Sequence, residues 1–268
     1  MNEYKPKANK KLGQHYLNNS QTIKNICSDF PNQYDLIIEV GPGPATLTRE
    51  LIKKEIPIML IEKDERFIDV LNKLEPRPLI LNTDALTFDI TDTLTKFNSN
   101  SAWFVSNLPY NVGTPIMIKY LQISKIKYFT LMFQKEVAQK IYLPLFGEKK
   151  SAKEMNSLHA LVNNYFKISM LQKVSPGQFS PPPKVDSVVL SFERKESPII
   201  PLKDWKAYED FLRKLFSNRR KQLFSVLKNY YEKNKIKKIL EQLDVNTNAR
   251  AETLGFEKVI SLYELLRN

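Results

Sequence analysis

Asn107-Leu108-Pro109-Tyr110 carries the residue types needed to activate an amino group on a flat aromatic ring. The lone pair of such an amine is delocalised into the ring, so the nitrogen is a poor nucleophile until acceptors aimed at its N–H groups draw the pair back. The Asn107 side-chain carbonyl can be one acceptor. The backbone carbonyl of Leu108 can be a second, because a residue before proline is held in extended geometry. Tyr110 then offers a face on which the ring can stack. The same four residues also suit an ordinary Asn-x-Pro turn after a buried strand, and the surroundings must decide between the two.

Those surroundings read as strand, polar motif, helix. Ala102 to Ser106 is an apolar run of strand length, so the motif falls at its carboxyl end, where open α/β sheets bind ligands. Thr114-Pro115 suits an N-cap followed by a first helical residue.

A second constellation lies upstream. The chain holds seven glycines, and Gly41 and Gly43 both fall in the turn after the apolar strand Leu36 to Val40, where a missing side chain lets a ligand approach the backbone. A pyrophosphate-binding G-x-G-x-x-G turn needs a third glycine where this chain has Thr46, which disfavours a nicotinamide dinucleotide. Glu62, at the end of the next strand, stands where a carboxylate accepts ribose hydroxyls, and Asp84, ending the third and followed by Ala85, suits an adenine amine. Either acid alone is equally a cap or a surface charge. With Asn107 they form a series at successive strand ends.

The whole chain bounds this reading. Its 268 residues leave room for one α/β domain and a smaller appendage, and 42% hydrophobic with 26% charged residues describes a soluble globular protein. The absence of any apolar run of membrane length and a Lys-rich start predict a cytoplasmic protein. One cysteine, Cys27, excludes an internal disulfide, and with only His15 and His159 a metal site is not expected. A net charge of +12 points to a polyanion, although an AT-rich genome yields the same lysine excess. From Lys195 onward Lys and Arg outnumber Asp and Glu by 16 to 10, so the tail is the more densely basic part.

Read along its length, the chain opens with a basic arm (Lys5, Lys7, Lys10, Lys11, then Gly13 to Leu17) and a helix from Ser20 to about Phe30. Strands at Leu36–Val40, Ile58–Ile61, Pro78–Thr83, Ala102–Ser106, Tyr128–Phe133, Lys167–Val174 and Val188–Phe192 alternate with helical segments. This predicts a doubly wound α/β sheet over residues 1–195. Past Pro198 and Pro201 only helical periods remain, in Asp204–Phe216, Arg219–Tyr231, Lys235–Leu243 and Phe256–Leu266, which predicts a helical domain over residues 196–268.

Taken together, these motifs resemble the small-subunit ribosomal RNA adenine N6,N6-dimethyltransferase family. Its Gly-Gln-Asn-Phe-Leu arm, Asn-Leu-Pro-Tyr pocket and Phe-x-Pro-Pro-Pro-Lys-Val-Asp-Ser loop have counterparts in Gly13–Leu17, Asn107–Tyr110 and Phe179–Ser187, and Gln134–Val137 and Asn218–Lys221 also fit. The resemblance implies a Rossmann-like S-adenosylmethionine-dependent methyltransferase domain with a helical rRNA-binding domain. The implied reaction dimethylates N6 of two adjacent adenosines near the 3′ end of small-subunit rRNA during ribosome biogenesis. The implied setting is a pre-ribosomal 30S particle, with the enzyme a monomer and no metal required. His15, Leu17, Gly41, Glu62, Asp84 and Asn107 would contact the cofactor or close over it, with Glu39 near its methionine amine. Asn107, Leu108, Pro109 and Tyr110 would form the catalytic pocket, with Phe179 stacking on the flipped base opposite Tyr110. Phe179 serves equally well as a core anchor for the stiff loop of Pro181, Pro182 and Pro183. Arg219, Arg220 and Lys221 would open a helix with an inward stripe of Leu223, Val226 and Leu227 and grip rRNA phosphates, or else be a merely solvated face.

The chain departs from the family at His15 and Tyr16, usually Asn and Phe, at Met155–His159, which lacks the usual arginine, and at Gly255. Rival readings are the related group that methylates large-subunit rRNA and confers macrolide resistance, a non-catalytic RNA-binding assembly or transcription factor, and a DNA adenine methyltransferase. The complete proline loop and Asn-Arg-Arg-Lys run favour the small-subunit group, and an intact pocket argues against a pure binding role.

Overall fold

The structure, a computed structural model, describes residues 6–9, 12–31, 33–146 and 154–267. Lys5, Lys10 and Lys11 of the expected arm lie outside them. Contacts divide the chain into two compact units, Met1–Ala138 with Ile168–Arg194, and Gln139–Lys167 with Lys195–Asn268.

The first unit is built on a sheet. Its strands are β1 (Tyr16–Leu17), β2 (Leu36–Val40), β3 (Ile58–Glu62), β4 (Leu79–Asn82), β5 (Ala102–Ser106), β6 (Ile126–Gln134), β7 (Phe166–Val174), β8 (Phe179–Ser180) and β9 (Ser187–Arg194). Seven of them form one sheet in the order β4–β3–β2–β5–β6–β9–β7. Pairing is parallel from β4 to β6 and antiparallel between β6 and β9. Every residue of β2, β3 and β5 is buried, as unbroken apolar runs covered on both faces require. At the edge, β4 keeps its outer residues exposed.

Register sets the site. Val40 lies opposite Ile61, Glu39 opposite Val105 and Glu62 opposite Asn82, so the carboxyl ends of four strands reach one edge together. The chain runs outward from β2 to β3 and β4, then returns to place β5 beside β2. Strand order thus reverses between β2 and β5, where a crevice forms. Beneath it Trp103 is fully buried, its indole N–H donating to Thr130 Oγ1 at 2.9 Å. Thr130 and Ser191 hydroxyls both donate to Asp29 at 2.6 Å, so this buried polar cluster is internally satisfied. The first helix is Ser20–Cys27, shorter than expected and capped by the side chain of Asn19.

The second unit is helical and larger than residues 196–268. It takes in residues 139–167 because the helix Ser157–Tyr165 buries Ala160, Leu161 and Tyr165 within it, Tyr165 lying 4.6 Å from the ring of Trp205. Asn164, fully buried, donates to the Ile200 carbonyl and accepts from the Ile200 N–H, fixing the linker by both backbone groups. Helix Trp205–Leu215 buries Trp205, Tyr208, Phe211, Leu212 and Leu215, a helical-period stripe, and Tyr208 packs on Tyr263 of Phe256–Arg267. The helix expected over Arg219–Tyr231 shrinks to Leu223–Leu227. Ser217 to Lys221 offers no apolar side chain to bury, and the Lys221 N–H closes a turn on the Asn218 carbonyl instead.

Candidate active site

At the β2/β5 crevice a cavity of about 270 Å³ opens. His15, Leu17, Gly41, Glu62, Asp84, Asn107, Leu108, Pro109 and Tyr110 all line it, so the structure gathers these expected residues from five separate segments. Its floor is the turn after β2. Gly41 and Gly43 have φ of 68° and 51°, left-handed values that favour glycine, and a Cβ on Gly43 would stand 3.6 Å from the Tyr16 ring.

Three carboxylates face the cavity in different states. Glu62 is 4% exposed, and its two oxygens accept from the N–H groups of Gly43 (2.9 Å) and Asp64 (2.7 Å). Burial raises its pKa, opposed by those two bonds, and each oxygen keeps a further lone pair for a ligand hydroxyl. Glu39 is 2% exposed with the Thr48 hydroxyl 2.7 Å from Oε2, and burial pushes its pKa up to about 8. Asp84 is more open. Lys63 at 2.8 Å and the Leu86 N–H at 2.9 Å hold its pKa below the usual carboxylate value.

On the β5 side, Asn107 Nδ2 donates to the His15 carbonyl at 3.0 Å. That bond fixes which end of the amide is which, turning Oδ1 away from the arm as an acceptor. The Tyr110 hydroxyl pairs with Ser187 Oγ at 2.6 Å, and its ring stacks on the His15 ring with centroids 5.3 Å apart and planes 26° off parallel.

S-adenosylmethionine, the cofactor the resemblance implies, fits this donor set. It brings a cationic sulfur, an ammonium, a ribose diol and an adenine, and the cavity answers with a buried carboxyl, Glu39, that has no cationic partner among the described residues and that a ligand cation would favour in its ionised form. Glu62 keeps lone pairs that a diol could use, and Asp84 follows the end of β4.

Several contributors escaped sequence reasoning. Gln14 donates to Asp64 at 2.9 Å and accepts from the Tyr16 hydroxyl at 2.7 Å, tying the arm to the turn after β3. Its place in the arm motif and the position of Asp64 two residues beyond Glu62 were the available signals. Lys119 donates to the carbonyls of Ala85, Leu86 and Phe88, bracing the loop after Asp84, and nothing local in the sequence announces it.

Two further groups of expected residues stand apart from this cavity. Phe179 is not among the cavity-lining residues: it is 3% exposed, in the same apolar cluster as Leu17 and Val174, and paired with Leu17 in the β1–β8 ladder. The ring stacked on Tyr110 is that of His15. Of the basic trio, Arg219 is tied to Glu154 and Glu252, each at 3.2 Å. Arg220 and Lys221 line a separate concavity of the helical unit with Lys228 and Arg250, no acidic residue lining it.

A family model for ribosomal RNA adenine dimethylase matches residues 5–268. Ribosomal RNA small subunit methyltransferase A of Clostridium botulinum is 34% identical over 96% of this chain and 94% of its own length. Its counterpart in Francisella tularensis subsp. novicida is 35% identical over 98% and 99%. Among solved structures, a dimethyladenosine transferase from Plasmodium falciparum aligns with a TM-score of 0.73 at 23% identity, covering 92% of this chain and 96% of that one. The 23S rRNA methyltransferase ErmE aligns at 0.72 and 23%, covering 94% and 100%. These two share the fold. With a crevice at the strand reversal, an ordered acidic series and an Asn-Leu-Pro-Tyr loop on one cavity, and a family match over nearly its full length, this chain belongs to the ribosomal RNA adenine dimethylases, S-adenosylmethionine-dependent methyltransferases.

Proposed function

We propose that the chain dimethylates N6 of two adjacent adenosines near the 3′ end of small-subunit rRNA, acting as a monomer on a pre-ribosomal 30S particle in the cytoplasm. The choice of subunit rests on the relatives named for small-subunit methylation, which match nearly end to end. The observation that carries the chemistry is the Asn107 amide, oriented by the His15 carbonyl before any substrate arrives.

Bound S-adenosylmethionine supplies an electrophilic methyl group on a cationic sulfur. Glu62 would hold the ribose hydroxyls, Asp84 the cofactor's adenine amine, and Glu39 would face its positive charge. Asn107 Oδ1 accepts one N–H of the target amine and the Leu108 carbonyl accepts another, which returns the lone pair to nitrogen. Tyr110, steadied by Ser187, offers its face to the base. Because these acceptors are in place beforehand, little reorganisation is needed as charge develops. A methylated amine sheds its proton to water or a backbone carbonyl, so no titrating base is required. Arg220, Lys221 and Lys228 attract rRNA phosphates to the helical unit.

The test is mass spectrometry of the 3′ fragment of small-subunit rRNA after incubating unmethylated subunits with the protein. Two dimethyladenosines are expected. Asn107→Ala should cut turnover by about 10²- to 10³-fold, the cost typical of removing one positioned hydrogen-bonding group, with RNA affinity nearly unchanged. Methylation of large-subunit rRNA alone, or equal loss of binding and turnover, would overturn the assignment.

A further inference from the structure

The arm meets both halves of the cavity through alternate residues. On the cofactor half, Gln14 and Tyr16 are bonded to each other. Gln14 reaches Asp64 beside Glu62, and the Tyr16 ring lies over Gly43 and edge-on to Phe67 at 6.0 Å. On the other half stands His15. Its carbonyl accepts from Asn107, its ring stacks on Tyr110, and its Nδ1 lies 2.8 Å from the Pro181 carbonyl. Gly13 allows this path, since it takes φ of 65° and a Cβ there would come within 3.0 Å of Asn111 Oδ1. Gln14 and Tyr16 flank His15 directly in the chain, so their anchoring on the cofactor half holds the backbone whose carbonyl accepts from Asn107.

We infer that His15 is a positioning residue that couples docking of the arm on the cofactor to the shape of the target-amine pocket. Cofactor contacts that hold Gln14 and Tyr16 in place also hold the His15 carbonyl on Asn107 and its ring on Tyr110. Adenosine then meets a pocket already set. The two ligands therefore bind with positive coupling, and linkage requires each to strengthen the other by the same factor. The residue is particular to this chain, which carries His where the motif it resembles has Asn, and the inference rests on the proposed rRNA adenosine substrate.

Binding of unmethylated small subunits, whose RNA bears the target adenosines, is measured with and without saturating S-adenosylhomocysteine, which has no methyl to transfer, and binding of that thioether is measured with and without the subunits. The wild-type protein should show matching enhancements of roughly tenfold, within the usual range of such couplings. His15→Ala should keep its melting temperature, and whatever it costs the binding of each ligand alone, the enhancement of one by the other should fall toward unity. His15→Phe, which retains a flat ring over Tyr110, should restore most of it. A wild-type protein that methylates this RNA yet shows no enhancement overturns the coupling and leaves the proposed function standing, as does a full enhancement in His15→Ala. A wild-type protein that neither binds nor methylates the RNA overturns the proposed function itself.

Discussion

The cavity of the sheet unit and the basic concavity of the helical unit solve opposite problems. Around the cavity, polar groups are committed to partners within the protein: Glu62 to two backbone N–H groups, Asn107 to the arm, Asp84 to Lys63. In the helical unit Arg220 and Lys221 are exposed in a turn, and the described residues that line their concavity include no acid, although its Arg250 reaches Glu252 at 3.9 Å. Activating an amine needs acceptors fixed to within a fraction of an ångström, whereas drawing in a polyanion needs charge and little geometry. Arg219 shows the boundary between the two strategies, since pairing it with Glu154 and Glu252 turns a cation of the same run into a structural tie.

Phe179 gives the largest test of that contrast, because it belongs either to the committed cavity or to the core beneath it. As a side chain 3% exposed and clustered with Leu17 and Val174, Phe179→Ala should destabilise the protein by about 3–5 kcal/mol in denaturant unfolding. Below the transition, the folded variant should keep much of its kcat/KM. Normal stability with lost base capture would instead put Phe179 in the pocket wall.

Glu39 gives a test in pH. Burial lets it keep its proton in the folded chain up to about pH 8, whereas the unfolded chain loses it near the ordinary glutamate value of 4.5. Between those values the folded state holds the extra proton, so this group makes stability fall as pH rises, by roughly a kcal/mol per pH unit. Glu39→Gln should remove that contribution. Wild type and variant should be similar near pH 4.5, and the variant should be the more stable of the two at pH 8, as urea midpoints will show. Cofactor affinity should move the other way, since a neutral amide cannot face a cation as a carboxylate does. Parallel stability profiles would mean that Glu39 is ionised in the folded chain at neutral pH and that the cavity holds no such reserve.

What the sequence made legible follows the same division. The sheet was readable because Leu36–Val40, Ile58–Glu62 and Ala102–Ser106 are unbroken apolar runs, a pattern that serves only a strand covered on both faces. Glu62, Asp84 and Asn107 were readable because strand ends in such a sheet converge. The placement of Phe179 was not, since an aromatic before a rigid proline loop looks alike as a stacking wall and as an anchor, and nothing local in the sequence announces its pairing with Leu17. Nor was the role of Arg219, whose acidic partners lie far away along the chain. Residues 139–167 join the helical unit through packing of Tyr165 against Trp205, and no local period encodes which neighbour a helix will choose.

The smallest effects come from the helical unit, where they separate Arg219 from its two neighbours. If Arg220 and Lys221 each neutralise one phosphate, replacing both with Ala should flatten the slope of log affinity against log salt by about 1.4 to 1.8, at roughly 0.7 to 0.9 per contact. Turnover on a saturating short RNA should persist, because the acceptors that activate the amine belong to the sheet unit. Arg219→Ala removes exposed ion pairs instead, so it should cost about 0–1 kcal/mol of stability and leave the salt slope where it was. Fluorescence titrations of intact small subunits at several salt concentrations make the comparison. A slope change for Arg219→Ala as large as that for Arg220→Ala would show that the acidic partners release Arg219 to the RNA, and the line drawn here between a structural tie and a phosphate contact would then be in the wrong place.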